Sequence, residues 1–297
     1  MFSLNRKIKH HRREDKEWME DNWRHEETET PEWVAKMPGF PKGLSSVAAY
    51  AFPTALNYLY FNNDREKFLE YIRITHISRT WHWKGMFSHG PHHVQLPGGE
   101  PFTTGVMLPN IDVSLGTLIE GIYLALTLRD QGAMAVYRTI PFEPMRTRMG
   151  SDHQPFLHHW LNFLQTVGTD SPDIRRELDL AYELSAPSGD LTPLRVEWLN
   201  YVFRPFVLLW KPILDNDPDM FNKTLRYQQK SWKAFYSVKE DRRSDGITSF
   251  YPMPALAAVS YAYDLGFPVR VKSDYLPRFL VEGDFPRLAW PDPDWVK

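Results

Sequence analysis

The chain contains no cysteine. That absence removes disulfides, zinc–thiolate sites, iron–sulfur clusters and a cysteine nucleophile together. An excess of charge of one sign is missing as well. Thirty-five basic residues stand against thirty-seven acidic ones, for a net charge of −2. There is thus no basic surplus to suggest nucleic acid and no acidic surplus to suggest a mimic of it. Long apolar runs are also absent. The longest uncharged stretch, 43–63, contains Ser45, Ser46, Pro53, Thr54, Asn57, Asn62 and Asn63, so it reads as a buried helix and not as a membrane span. The opening MFSLNRKIKHHRREDKEW has positive charge but no apolar stretch behind it, which is not the pattern of a secretory signal. A soluble cytoplasmic protein without a membrane partner is the expectation. Finally, the chain has no G-x-S-x-G, no Walker loop, no G-x-G-x-x-G and no H-E-x-x-H, and nothing in it calls for a cofactor.

What is abundant is aromatic: eleven Trp, fourteen Tyr and eighteen Phe among 297 residues. Most belong in a core, because rings bury large areas, while some Trp and Tyr can anchor an interface. A chain of this length buries roughly 75% of its unfolded surface and needs no covalent staples.

Residues 1–30 mix charges of both signs and read as a solvated helix or arm. PEWVAKMPGFPKG at 31–43 has the composition of a linker. This gives a charged arm and linker over 1–43 and a single helical domain over 44–297. Within that domain Leu115, Leu118, Ile119, Ile122, Ala125 and Leu126 follow helical spacing, with Tyr123, Leu124 and Leu128 making the other face apolar too. The periodicity therefore predicts a central helix over 112–130. Leu199, Val202, Phe203, Phe206, Leu209, Trp210 and Ile213 form a second such stripe, and Pro205 inside it predicts a kink or break. Ser171-Pro172, Thr192-Pro193 and Asp217-Pro218 each read as an N-cap followed by proline in the first turn. Val94-Gln95-Leu96 and Phe102-Thr103-Thr104 flank a Pro-Gly-Gly turn and read as a short hairpin. The fold class that follows is all-α for the most part, a multi-helix antiparallel array with one short β-hairpin.

Two clusters compete as functional sites. HWKGMFSHGPHH at 82–93 holds His82, His89, His92 and His93, and His89, His92 and His93 could be read as metal ligands. Gly90 and Pro91 make the stretch a turn, however, and no acidic residue lies within it, so a loop between a helix and the hairpin is the simpler reading. HQPFLHHW, with His153, His158 and His159, reads as packing or helix surface. KEDRRSDG at 239–246 differs in kind. Arg242, Arg243 and Asp245 make a mixed-charge loop suited to selecting a partner electrostatically.

The C-terminal third, SWKAFYSVKEDRRSDGITSFYPMPALAAVSYAYDLGFPVRVKSDYLPRFLV, resembles the immunity protein 49 family of bacterial polymorphic toxin systems. Trp232, Arg242, Asp245 and Gly246 match its first elements, Asp264, Gly266 and Pro268 its D-x-G-x-P stop, and Ser273, Asp274, Tyr275, Leu276, Pro277 and Leu280 its ending. The hairpin segment VQLPGGEPFTTG and the order of helices agree as well, over roughly 44–286, while the arm before Leu44 has no counterpart. The resemblance implies an antitoxin-like role, in which the protein binds the toxic domain of a cognate toxin without performing catalysis. It also draws Asp274 and Tyr275 into the candidate partner-binding set with Arg242, Arg243 and Asp245. The structural account of those two has Asp274 capping the next helix and Tyr275 packing against helix 255–263. Two other classes remain in play: a metal-assisted hydrolase built on His89, His92 and His93, and a helical adaptor with no toxin partner.

Overall fold

The computed structural model describes residues 7–11, 16–87, 90–104, 114–141, 154–238 and 246–287. Their regular structure is helical apart from one two-stranded antiparallel ribbon, so the protein is mostly all-α. The chain groups into two compact units. One comprises Met1–Glu14, Leu126–Arg129 and Ser151–Arg287, the other Asp15–Ala125, Asp130–Gly150 and Leu288–Lys297. The segment 7–11 and helix α1 (Lys16–Lys36), which share a composition, thus belong to different units.

In the unit that begins at Asp15, α1 packs on α2 (Leu44–Asn57), and α2 on α3 (Arg65–Phe87). The first half of the expected linker is helix, since α1 runs through Pro31 to Lys36. A proline inside a helix costs about 3 kcal/mol. Burial of Thr30, Val34 and Met37 on that stretch offsets it. At about 1.5 Å per residue, the 14 residues of α2 fall well short of a bilayer core. Among the described residues no helix is long and apolar enough to cross a membrane. The ribbon pairs β1 (His92–Val94) with β2 (Phe102–Thr104), in the register His92 to Thr104, His93 to Thr103 and Val94 to Phe102. The first strand starts two residues before Val94, and Gly98, at φ +75°, makes the turn that a side chain would strain.

The central helix is α4 (Leu115–Leu128), buried on every side from Gly121 onward, with Leu118, Ile122 and Ala125 fully enclosed. After it comes α5 (Gln131–Arg138). A Cβ on Gly121 of α4 would lie 2.5 Å from the Tyr137 hydroxyl of α5, so glycine is what lets these two elements approach. The Asp130 side chain joins α5 to α3. Its Oδ1 accepts from the Ala133 N–H at 2.9 Å and caps α5, while its Oδ2 lies 2.8 Å from Nε2 of His76 on α3. Both side chains of the His76–Asp130 pair are buried.

The other unit contains α6 (Pro155–Thr166), α7 (Ile174–Leu184), α8 (Pro193–Trp198), α9 (Arg204–Leu214), α10 (Pro218–Tyr236), α11 (Met253–Asp264) and α12 (Arg278–Glu282). Its core is built on rings. Trp160 stacks on Phe163, and Phe163 meets Trp210 edge-on at 5.2 Å. Two of the three proline-marked helix starts are caps. Thr192 accepts from the Arg195 N–H at 3.3 Å, and Asp217 from the Met220 N–H at 2.8 Å. The third is different: Ser171-Pro172 forms a turn, and α7 begins two residues later. Pro205 does not break the helix. Immediately before α9 the helix widens into a π turn at Leu199–Phe203, where the looser spacing accommodates a proline that cannot donate to the preceding turn.

Candidate partner-binding surface

The S-D-Y-L-P segment is held by the start of the chain. Residues 7–11 run alongside it as a short extended strap. The Ile8 N–H donates to the Lys272 carbonyl and the Asp274 N–H to the Ile8 carbonyl, both at 2.9 Å, forming a parallel bridge between Ile8 and Ser273. Lys7 pairs with Asp274 at 2.5 Å. Ser273 Oγ accepts from the Tyr275 N–H at 3.2 Å and donates to Gln229 at 2.6 Å. Tyr275 is fully buried. Its hydroxyl accepts from the His11 N–H at 2.7 Å and lies 2.9 Å from His11 Nδ1. Ser249 Oγ donates to the Gly246 carbonyl and keeps its lone pairs for His11 Nε2, at 3.2 Å. The network therefore places the imidazole proton on Nε2 and lets Nδ1 accept from Tyr275. The expected cap is absent: α12 starts behind Pro277 without a side-chain cap, because the Asp274 carboxylate turns to Lys7 instead.

The strap carries two histidines in an aromatic nest. His10 meets Tyr275 at 4.7 Å and Phe250 at 5.3 Å, and His11 stacks on Phe250 at 4.2 Å. Burial lowers His10 to about 4, partly opposed by Asp274, and lowers His11 to about 3, reinforced by His10 and Lys233. A depressed histidine pKa means that the unfolded chain binds more protons once the pH is below the ordinary value of 6.5. Stability should therefore fall from pH 6.5 towards 4 and flatten below the folded values. Denaturant midpoints across that window should decline in the native chain and change less in His10→Gln/His11→Gln; equal slopes would assign the acid sensitivity to other groups.

Of the remaining family-pattern residues, Trp232 is buried, whereas Asp264, Gly266 and Pro268 are exposed. Trp232 donates from Nε1 to the Ser249 carbonyl at 2.6 Å. Asp264 receives Nε and Nη2 of Arg129, each at 3.2 Å, while the same guanidinium donates to the Leu280 and Val281 carbonyls at 2.5 and 2.6 Å. Gly266 has φ +87°, the left-handed stop that the sequence predicts after α11. Of the marked binding residues, Asp274 keeps 28% of its side chain accessible and Tyr275 keeps none. Arg242, Arg243 and Asp245 lie outside the described residues, as do His89 and His153.

The other histidines are distributed through the packing. His92 tilts against Trp81 at 5.6 Å, and His93 Nδ1 lies 3.0 Å from the Thr103 hydroxyl across the ribbon. His159 meets Glu177 at 2.8 Å. Burial raises the Glu177 pKa, but hydrogen bonds from His159, Arg176 and Asn162 outweigh it and hold the carboxyl below its ordinary value. Among the described residues no three His, Cys, Asp or Glu side chains are grouped to hold a metal ion.

An open groove of about 430 Å³ lies between α9 and α10. Leu208, Pro212, Met220 and Tyr227 line it, together with Lys211, Lys223 and Asp215. Met220 is 46% exposed and Tyr227 52%, although a helix of this kind usually turns such side chains inward. The sequence stripe of Phe221, Leu225 and Trp232 fills the opposite, buried face of α10, which leaves these two at the surface.

A family model described as immunity protein 49 matches residues 77–280, from the second half of α3 to α12, taking in the hairpin, α4 and the S-D-Y-L-P segment. The chain belongs to the immunity protein 49 family. The match begins well after the expected boundary near residue 44, so α1, α2 and the strap lie outside it. Comparisons with curated proteins and with solved structures gave no match. The strap, outside the matched residues, is hydrogen-bonded to the S-D-Y-L-P segment inside them.

Proposed function

We propose that this immunity protein 49 member is an antitoxin-like binding protein that neutralises a cognate bacterial toxin domain by forming a complex with it, without catalysis. Family membership over residues 77–280 carries the reading. The partner is a protein, and the protection is stoichiometric. Arg242, Arg243 and Asp245 are proposed as a local steering loop: a net charge of −2 gives no global field, so any acceleration of encounter has to come from local charge. Asp274, partly accessible beside Lys7, is a lesser candidate for contact.

The test is co-expression with the toxin domain encoded beside the gene. Growth should be restored only when this chain is present in at least equal amount, and the two should co-purify at fixed stoichiometry. Failure to bind or to rescue would remove the proposal. Rescue by catalytic amounts of the chain would favour an enzyme instead.

A further inference from the structure

We infer that the groove between α9 and α10 receives an apolar segment of the toxin domain that carries acidic residues. This inference rests on the neutralisation reading and gives it a surface. The described family-pattern side chains are engaged within the chain: Trp232 and Tyr275 inside the fold, with Ser249 and His11, and Asp264 at the surface, with Arg129. They set the frame and leave recognition to other side chains.

On α10, Met220, Lys223 and Tyr227 are three and four residues apart and share one exposed stripe. Tyrosine is a frequent interface anchor, and methionine adapts its shape to a partner. Two lysines and one aspartate, Asp215, line the groove. Arg175 already engages Asp215 at 2.5 Å, and Arg270 engages Asp219 at 2.7 Å. Lys211 is 3.6 Å from Asp179 with both side chains more than half exposed, a contact easily exchanged for another. No carboxylate among the described residues engages Lys223. Asp215 is engaged by Arg175, and the positive charge of Lys223 is matched by no carboxylate among the described residues, so the complementary partner segment is apolar with negative charge at its edge.

Four changes to the full-length chain test this, read by binding kinetics with the purified toxin domain. Met220→Ser/Tyr227→Ala should weaken affinity about a hundredfold, mainly through faster dissociation. Lys211→Glu/Lys223→Glu should slow association about tenfold at low salt and less at high salt. Leu265→Ser, exposed elsewhere on the same unit, should change neither. A photo-crosslinking residue at position 223 should capture the toxin, and this readout does not depend on the other variants keeping their fold. Unchanged kinetics in both double variants, with wild type still binding, would overturn the groove and leave neutralisation standing. Wild type that fails to bind would remove both. Crosslinks joining two copies of this chain, or faster association after charge reversal, would overturn the proposed occupant.

Discussion

Tyr275→Ala is expected to destabilise the protein severely without being an interface mutation. Truncating a fully buried aromatic costs about 3–5 kcal/mol. Leaving the His11 N–H and ring without their hydroxyl partner adds about 1–3 kcal/mol more. Against a total stability of about 5–15 kcal/mol, the unit formed with the strap would be close to unfolding at room temperature. Tyr275→Phe keeps the ring and loses only the hydroxyl, so it should retain most of the stability. Urea denaturation of the two variants beside wild type measures the difference. The fraction of Tyr275→Ala that remains folded should bind the toxin domain normally. A variant that melts like wild type yet no longer binds would move Tyr275 to the interface.

Asp130→Ala should produce the largest loss in the other unit. Its carboxylate caps α5 and holds His76, both inside the protein. Losing the cap costs about 1 kcal/mol. Removing one member of a buried, hydrogen-bonded pair costs about 3–5 kcal/mol, because the partner is left without compensation. The terms overlap, since one side chain serves both, so a loss of about 4 kcal/mol is expected. Asp130→Asn keeps an oxygen for the cap and should recover part of it. Hydrogen exchange should show α5 opening first. Protection of Gln131–Arg138 unchanged in Asp130→Ala would refute the capping role.

Much of this fold is visible in local pattern. The all-round apolar sequence of α4 locates a central helix, Pro205 locates the distortion before α9, and Thr192 and Asp217 announce their helices. Ser171 misleads, because serine before proline suits a turn as well as a cap. The strap was hidden. Lys7, Ile8, Lys9, His10 and His11 read as a charged arm; the two buried residues, Ile8 and His11, are three apart and do not follow the two-residue period of a strand. Its partner lies 264 residues away at Tyr275, a pairing that no local pattern encodes. His76 and Asp130, 54 residues apart, are unreadable for the same reason. The groove could not be read either. Met220 and Tyr227 are apolar residues on an amphipathic helix, and only the packing of α10 shows which stripe faces water.

The strap also sets a timetable for synthesis. Its residues leave the ribosome well before Tyr275, the partner they meet. At about 5–20 residues per second, the 264 residues between His11 and Tyr275 take roughly 13–50 s to be added. For that interval Ile8 and the two histidines have no surface to cover, and the Tyr275 pocket does not exist. The unit they share can close only after Tyr275 has been made, so a nascent chain stalled before Tyr275 would still present residues 7–11, which the finished protein ties to the S-D-Y-L-P segment.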